Sequence, residues 1–177
     1  EITIAMNGSH HNSPRELWNL VLLVKNHTGY KNLSYLLSNS ISSKDKFHYI
    51  DYELLKSHSN GLIALTCGLR GPLGFHRDNR HKSKEVLTEL LNRFGVGNVF
   101  VEIQDFGLPY QGELNQFSKC LAKDLCIDTV VTNDVRYLKR TDAPVLEVLR
   151  SIKKKEPFDI RIQGMTTDQQ YLKSEAE

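Results

Sequence analysis

Short apolar runs that alternate with amphipathic segments are the feature of this sequence that most constrains its fold. Residues 2–6 alternate in polarity, as a half-buried strand does. Residues 20–24 and 62–65 are continuous apolar runs with polar flanks, a pattern typical of strands that are buried on both faces of a parallel sheet. Residues 99–103 and 129–131 complete a predicted set of five strands.

Apolar side chains recur at helical spacing between these runs. The pattern predicts a helix over 30–37 with Thr28 as its N-cap, a helical turn over 52–56, and helices over 82–94, 114–125 and 143–152. Gly95 stops the third of these segments. Strands that alternate with helices predict one α/β fold, with parallel strands joined by right-handed crossovers in an open sheet or a closed barrel.

Composition and charge exclude some classes of protein without identifying a function. The chain has 177 residues, 40% of them hydrophobic, which suits one domain with a modest core. A formal net charge of +2 does not by itself indicate a nucleic-acid-binding face. The sequence shows no stretch of about 18 apolar residues and no signal peptide, so we expect a cytoplasmic protein without a membrane partner. Three cysteines without CxxC spacing predict reduced thiols.

Residues near the predicted strand ends are the first candidates for chemistry, because parallel α/β folds carry their sites at the carboxyl ends of strands. Glu1 and Asp134 offer carboxylates to a divalent cation, and Cys67 offers a weaker third donor. Phe106 cannot bind a metal, and the fixed charge of Arg136 would repel one. Two ordinary alternatives stay open: Asp134 as a turn or cap residue, and Cys67 as a small buried apolar side chain.

Several collinear strings together resemble bacterial DNA polymerase III alpha subunits, over nearly the whole chain. Each string is weakly specific alone, but the set is specific. The strings are LVLLVKN (20–26), GYKNL (29–33), GLIALT (61–66), VFVEIQ (99–104), GLP (107–109), VTNDVRY (131–137), VLRSI (148–152) and YLKS (171–174).

The resemblance implies the polymerase-and-histidinol-phosphatase (PHP) domain of that family. It implies the later part of a distorted seven-stranded β/α barrel, whose ancestral site resembles a trinuclear metal phosphoesterase that serves as a 3′–5′ exonuclease in some members. Residues 1–155 are then a PHP domain incomplete at its amino end. Residues 156–177 are a connector towards the polymerase core.

Carried over residue by residue, the resemblance implies a degenerate metal site. Glu1 and Asp134 match family ligands, whereas Arg136 and Phe106 stand where the family has histidines. Gly68 stands where the family has a cysteine, and Cys67 lies one place earlier. We therefore expect Glu1, Asp134 and Cys67 as remnants of a ligand set.

The resemblance implies a structural or partner-docking segment of a DNA-directed DNA polymerase, inactive when alone. Expected partners are the rest of the polymerase chain, a proofreading exonuclease subunit, and DNA through the parent protein. No metal is expected in this segment, and Mg²⁺ would serve the parent polymerase. Three alternatives stay open: a metal-dependent phosphoesterase or proofreading exonuclease that binds Zn²⁺ or Mn²⁺, a part of an error-prone polymerase used in damage tolerance, and a stand-alone binding module.

Overall fold

The computed structural model describes residues 1–6, 16–42, 48–155, 167–174 and 177. Within these ranges the strands are β1 (Ile2–Met6), β2 (Glu16–Val24), β3 (Ile41–Ser42), β4 (His48–Asp51), β5 (Leu62–Leu65), β6 (Val99–Ile103) and β7 (Thr129–Val131). The helices are α1 (His27–Ser38), α2 (Tyr52–Ser57), α3 (Pro72–Phe75), α4 (Arg80–Phe94), α5 (Gln111–Asp124) and α6 (Ala143–Lys154), with 3₁₀ turns at Gly68–Arg70 and Arg140–Asp142. Much of the predicted connector lies outside the described residues.

The strands form one mixed sheet in the order β3-β4-β1-β2-β5-β6-β7. Three neighbouring pairs are parallel, namely β1 with β4, β5 with β6, and β6 with β7. The predicted α/β class is confirmed, and the predicted bounds of β1, β5, β6 and β7 coincide with those observed. Because β5, β6 and β7 run in the same direction, their carboxyl ends meet at one edge of the sheet.

The direction and burial of β2 differ from the prediction for residues 20–24. This strand is antiparallel to both of its neighbours, β1 and β5. Residues 7–15 alone join β1 to β2, and a parallel connection needs a crossover of about a dozen residues or more. Trp18, Leu20 and Leu22 are buried, whereas Leu23 and Val24 are exposed, so β2 buries one face rather than two.

Short elements and helix starts account for the other differences. β3, β4 and α3 have no counterpart in the sequence prediction, because they span two to four residues and contain neither a continuous apolar run nor a measurable periodicity. The N-cap of α1 is Asn26 rather than Thr28, since the Asn26 side chain accepts a hydrogen bond from the Gly29 amide at 3.0 Å. Gly95 ends α4 with a φ of 82°, as predicted.

The hydrophobic core lies between the sheet and helices α4 and α5. Trp18 and Leu20 of β2 are buried with Leu87 and Leu90 of α4 and Leu121 of α5. α4 packs against β5 and β6, and α5 packs against β6. This packing anchors β5 and β6 on the core, and the loops at their carboxyl ends extend from these anchored strands.

Helix α1 approaches the loop before β5 so closely that it tolerates no side chain at the contact. A Cβ atom on Gly29 would lie 1.8 Å from the backbone oxygen of Gly61. Gly61 is itself restricted, because its φ is +76° and its own Cβ would lie 2.4 Å from the Asn26 side chain. Glycine at position 29 is therefore required for α1 to pack in its observed place.

We predict that Gly29→Ala lowers the free energy of unfolding by about 3 kcal/mol, because α1 must move away from a backbone atom. Gly112→Ala is the matched control, since a Cβ on this α5 residue meets nothing within 4 Å. The control should change stability by less than about 1 kcal/mol. Urea unfolding midpoints measure both effects, and equal midpoints for the two variants would contradict the close contact.

Candidate functional site

The stagger of the sheet brings the first residue of the chain to the end of β5. The first half of β2 pairs with β1, with Leu20 opposite Ile2, and its second half pairs with β5, with Val21 opposite Leu65. The start of β1 is therefore level with the end of β5. As a result, the Sγ atom of Cys67 lies 3.5 Å from Oε1 of Glu1.

Two carboxylates and two guanidinium groups form an ion cluster at this edge of the sheet. The Arg70 Nη2 atom lies 3.2 Å from Glu1 Oε2 and 3.1 Å from Asp134 Oδ2. Arg136 Nη2 lies 2.8 Å from Asp134 Oδ1 and 3.7 Å from Glu1 Oε2. Arg136 thus pairs with Asp134 and lies near Glu1. Each guanidinium bridges both carboxylates, so the positive charges occupy the space between them.

Contacts from the later part of the chain hold Asp134 and Arg136 in place. The Gln170 side chain donates a hydrogen bond to Asp134 Oδ2 at 2.9 Å, and the Arg136 amide donates to the Gln170 carbonyl at 2.8 Å. Asp134 has a φ of 39°, in the left-handed region that aspartate enters more readily than most residues. Residues 167–174 therefore contribute to the site.

A buried hydrogen-bonded network lies beneath the ion cluster. Glu102 of β6 is 6% exposed and accepts a hydrogen bond from the Cys67 amide at 2.7 Å. The Gln104 side chain donates to Glu102 at 3.2 Å and to Thr132 at 3.0 Å, and the Thr132 hydroxyl also donates to Glu102. The Glu102 amide donates to the Thr66 hydroxyl at 2.9 Å. These bonds satisfy a carboxylate that would otherwise be costly to bury.

Glu102 and Arg70 are site residues that the sequence analysis missed. The signal for Glu102 is a charged residue in the middle of the apolar strand Val99–Ile103, since such a residue must find partners when the strand is buried. Arg70 follows Cys67 by three residues in a short turn, and nothing local marks it as a partner of Asp134. Only the tertiary fold brings these two residues together.

The surroundings of Cys67 favour its neutral thiol. Burial, followed by the negative charge of Glu1, raises the pKa of Cys67 to about 12. Cys67 has a φ of 57°, an uncommon conformation for a residue with a side chain. The hydrogen bond from its amide to Glu102 stabilises that turn. The Cys67 thiol is therefore a weak nucleophile in this environment, because the reactive form of cysteine is the thiolate.

Glu1 is held in its charged form by its partners. Burial alone would raise the pKa of Glu1, but the Asn19 amide, which donates a hydrogen bond to Oε1, and the Arg70 guanidinium together lower it below its usual value. Arg136 acts in the same direction. The Glu1 carboxylate is consequently an ion-pair partner at neutral pH.

Two further positions that the resemblance assigns to lost ligands, Gly68 and Phe106, have structural roles. Gly68 has a φ of 52°, and a Cβ there would lie 2.2 Å from the Gln104 side-chain oxygen. Phe106 is buried, its amide donates to Gln111 Oε1 at 2.8 Å, and its carbonyl accepts from the Thr167 hydroxyl at 2.7 Å. Both residues therefore fit their surroundings as they stand.

The donor set of this site does not fit a metal ion. Glu1 and Asp134 are separated by the guanidinium groups of Arg70 and Arg136, which occupy the space that a shared cation would need. Across the part of the chain that the structure describes, no three His, Cys, Asp or Glu side chains are arranged to hold a metal. A cavity of about 180 Å³ adjoins the cluster. Its walls include Cys67, Arg70, Gln104, Phe106, Asp134, Arg150 and Gln170.

Comparison with known proteins agrees with the predicted fold class and identifies the family of the chain. The family model of the PHP domain matches residues 1–106. The chain belongs to the PHP domain family. It is 36% identical to the DNA polymerase III subunit alpha of Treponema pallidum over 94% of this chain, and 37% identical to that of Thermus aquaticus over 80% of this chain. The chain spans 14% and 12% of these two relatives.

A third similar protein, from Deinococcus radiodurans, is also a DNA polymerase III subunit alpha, at 36% identity over 78% of this chain and 11% of the relative. The resemblance from the sequence strings is thus confirmed. Within the described residues, no helix combines the length and the apolar composition of a bilayer span.

We predict that Arg136→Ala destabilises this PHP domain by about 1–2 kcal/mol, because it leaves Asp134 with one guanidinium partner fewer. The loss is smaller than for a fully buried pair, since the Arg136 and Asp134 side chains are 36% and 21% exposed. Arg136→Lys should retain part of the stability. Arg140→Ala, which removes a solvent-exposed pair with Asp168, is the control and should have less effect in chemical denaturation.

Cysteine reactivity tests the environment of Cys67. We predict that a maleimide at pH 7.5 labels Cys120 and Cys126 readily, because both are exposed, and labels Cys67 far more slowly. Mass spectrometry of the labelled peptides distinguishes the three sites within one sample. Labelling of Cys67 at the rate of Cys120 would show that its thiol is accessible and ionised, contrary to this geometry.

Proposed function

We propose that this chain is the PHP segment of a DNA polymerase III alpha subunit and that its role there is structural rather than catalytic. The segment supports the polymerase part of the same polypeptide. The parent protein is then a DNA-directed DNA polymerase that replicates DNA in the cytoplasm. The relatives named above support the parent's identity, since this chain aligns with them over most of its length.

The bridging of Glu1 and Asp134 by two arginines is the observation that carries the structural role. A metal phosphoesterase needs its carboxylates free to bind cations, whereas here each carboxylate is within 3.7 Å of both guanidiniums. Guanidinium stays protonated at any physiological pH, so a change of pH in this range does not remove the positive charges from the carboxylates. The remnant ligands Glu1, Asp134 and Cys67 then stabilise the fold instead of binding Zn²⁺ or Mn²⁺.

The proposed partners follow from this assignment. The rest of the polymerase chain is the first, and a proofreading exonuclease subunit is a second, because a PHP segment without its own exonuclease leaves that activity to another protein. DNA and Mg²⁺ belong to the polymerase part of the parent. Residues 1–155 form the PHP domain in this proposal, and residues 156–177 form the connector.

Contacts of residues 169–171 support a connector that lies against the domain in its later part. The Asn133 side chain donates hydrogen bonds to the carbonyls of Gln169 and Tyr171 at 2.9 Å and 2.7 Å. Tyr137 and Tyr171 form a parallel β-bridge. Residues 167–172 therefore contact the domain next to the ion cluster.

The full-length polypeptide provides the test. We expect Mg²⁺-dependent extension of a primed template, no degradation of the primer 3′ end in the absence of nucleotides, and no Zn²⁺ or Mn²⁺ retained after dialysis. Elemental analysis measures the metals. Two or three retained metals that are lost in Glu1→Ala, together with exonuclease activity, would instead establish the phosphoesterase alternative.

A second test places histidines at positions 136 and 106, where the family has them, and asks whether the site then binds a metal. We predict that Arg136→His combined with Phe106→His gives measurable Zn²⁺ binding by titration calorimetry, because it removes one guanidinium and adds two neutral donors. Arg136→Lys combined with Phe106→Leu is the matched control and should bind none. Equal affinity in the two double variants would place the metal outside this site.

A further inference from the structure

Helix α6 presents its apolar side chains to solvent. Val145, Val148, Leu149 and Ile152, here called the α6 stripe, follow the i, i+3, i+4, i+7 spacing of one helix face and are 58%, 37%, 57% and 68% exposed. A surface helix normally turns such a stripe towards the core. Four aliphatic side chains on one exposed face therefore indicate a surface that another element covers.

The opposite face of α6 is directed towards the domain, although its residues are small or charged rather than apolar and large. Ala143 and Ser151 are buried, and the Glu147 side chain is only 12% exposed. Arg150 pairs with Glu147 and forms part of the wall of the cavity beside the ion cluster. If α6 rotated to turn its stripe towards the domain, the Glu147–Arg150 pair would be exposed and Ala143 and Ser151 would no longer be buried. The face of α6 that lies against the domain therefore determines the orientation of the helix.

Among the described elements, α6 differs from the neighbouring helices α4 and α5 in how it packs against the sheet. α4 lies between β5 and β6 in the chain and packs against both, and α5, between β6 and β7, packs against β6. α6 follows β7 in the same alternation, but its main packing contact among the described elements is the adjacent 3₁₀ turn. Among the described pairings β7 has β6 as its neighbour, and Val131 of β7 is 81% exposed.

We propose that the α6 stripe is a docking face for an apolar segment of the same polypeptide that lies outside residues 1–177 and packs over α6 and β7. This inference rests on the proposed function. The relatives are far longer than this chain, which spans 14% and 12% of the two described above, so a large part of such a polypeptide is available to cover the stripe.

The size of the stripe favours a covalently linked occupant over a second copy of the chain. α6 has 12 residues and is about 18 Å long. Its four aliphatic side chains present roughly a few hundred Å², whereas a stable interface between separate proteins buries about 1,200–2,000 Å² in total. A segment of the same polypeptide loses little translational and rotational entropy when it docks, so a smaller buried area is enough to hold it on the stripe.

Cysteine labelling of the full-length polypeptide tests the proposal. Leu149→Cys, and separately Ile152→Cys, place a thiol in the α6 stripe, and Lys153→Cys places one beside it on the same exposed helix. Labelling rates with a maleimide are compared with those of the same protein in urea. We expect the two stripe positions to be protected at least about tenfold relative to Lys153→Cys.

The outcomes separate this inference from the proposed function. Labelling at Leu149→Cys as fast as at Lys153→Cys, in a preparation that extends primers, would overturn the docking face alone. Protection that is lost on dilution would also overturn it, because a second copy would then cover the stripe. Protection in a polypeptide that shows no polymerase activity would support the docking face and overturn the proposed function.

Discussion

The double pairing of β2 is the constraint on which the arrangement of the site depends. Its first half pairs with β1 and its second half with β5, and the burial of Trp18, Leu20 and Leu22 fixes the register of both pairings. A shift by one residue would move these side chains to solvent, at a cost of several kcal/mol. The same register places Glu1 beside Cys67, so the position of a charged group follows from the burial of apolar ones.

The positive charges of two arginines allow several carboxyl groups to lie close together at this site without a metal ion. Glu1, Glu102 and Asp134 would repel one another at the edge of the sheet if no positive charge accompanied them. Arg70 and Arg136 supply that charge from within the chain, and their protonation does not vary with pH or with the supply of metal. Hydrogen bonds from Cys67, Gln104 and Thr132 stabilise the Glu102 carboxylate in its buried position.

The sequence predicts those features that depend on local patterns and misses those that depend on distant ones. The bounds of β5, β6 and β7 follow from apolar runs, and the end of α4 follows from Gly95. The direction of β2 does not follow from its run of apolar residues, because the same run suits either a parallel or an antiparallel strand. Arg136 lies two positions from Asp134, so the sequence alone brings these residues close together. Arg70 has no such local signal, since its partners Asp134 and Glu1 lie 64 and 69 positions away in the chain.

Backbone conformation links the cluster to the stability of the domain. Cys67 and Asp134, just past β5 and β7, both have positive φ values, 57° and 39°. Each such residue costs of order 1–3 kcal/mol unless its surroundings compensate. The compensation is visible: the Cys67 amide donates to Glu102, and the Asp134 carboxylate accepts from Arg70, Arg136 and Gln170. Polar contacts at the strand ends thus stabilise two strained turns, so the same side chains that form the ion cluster also contribute to the folding of the domain.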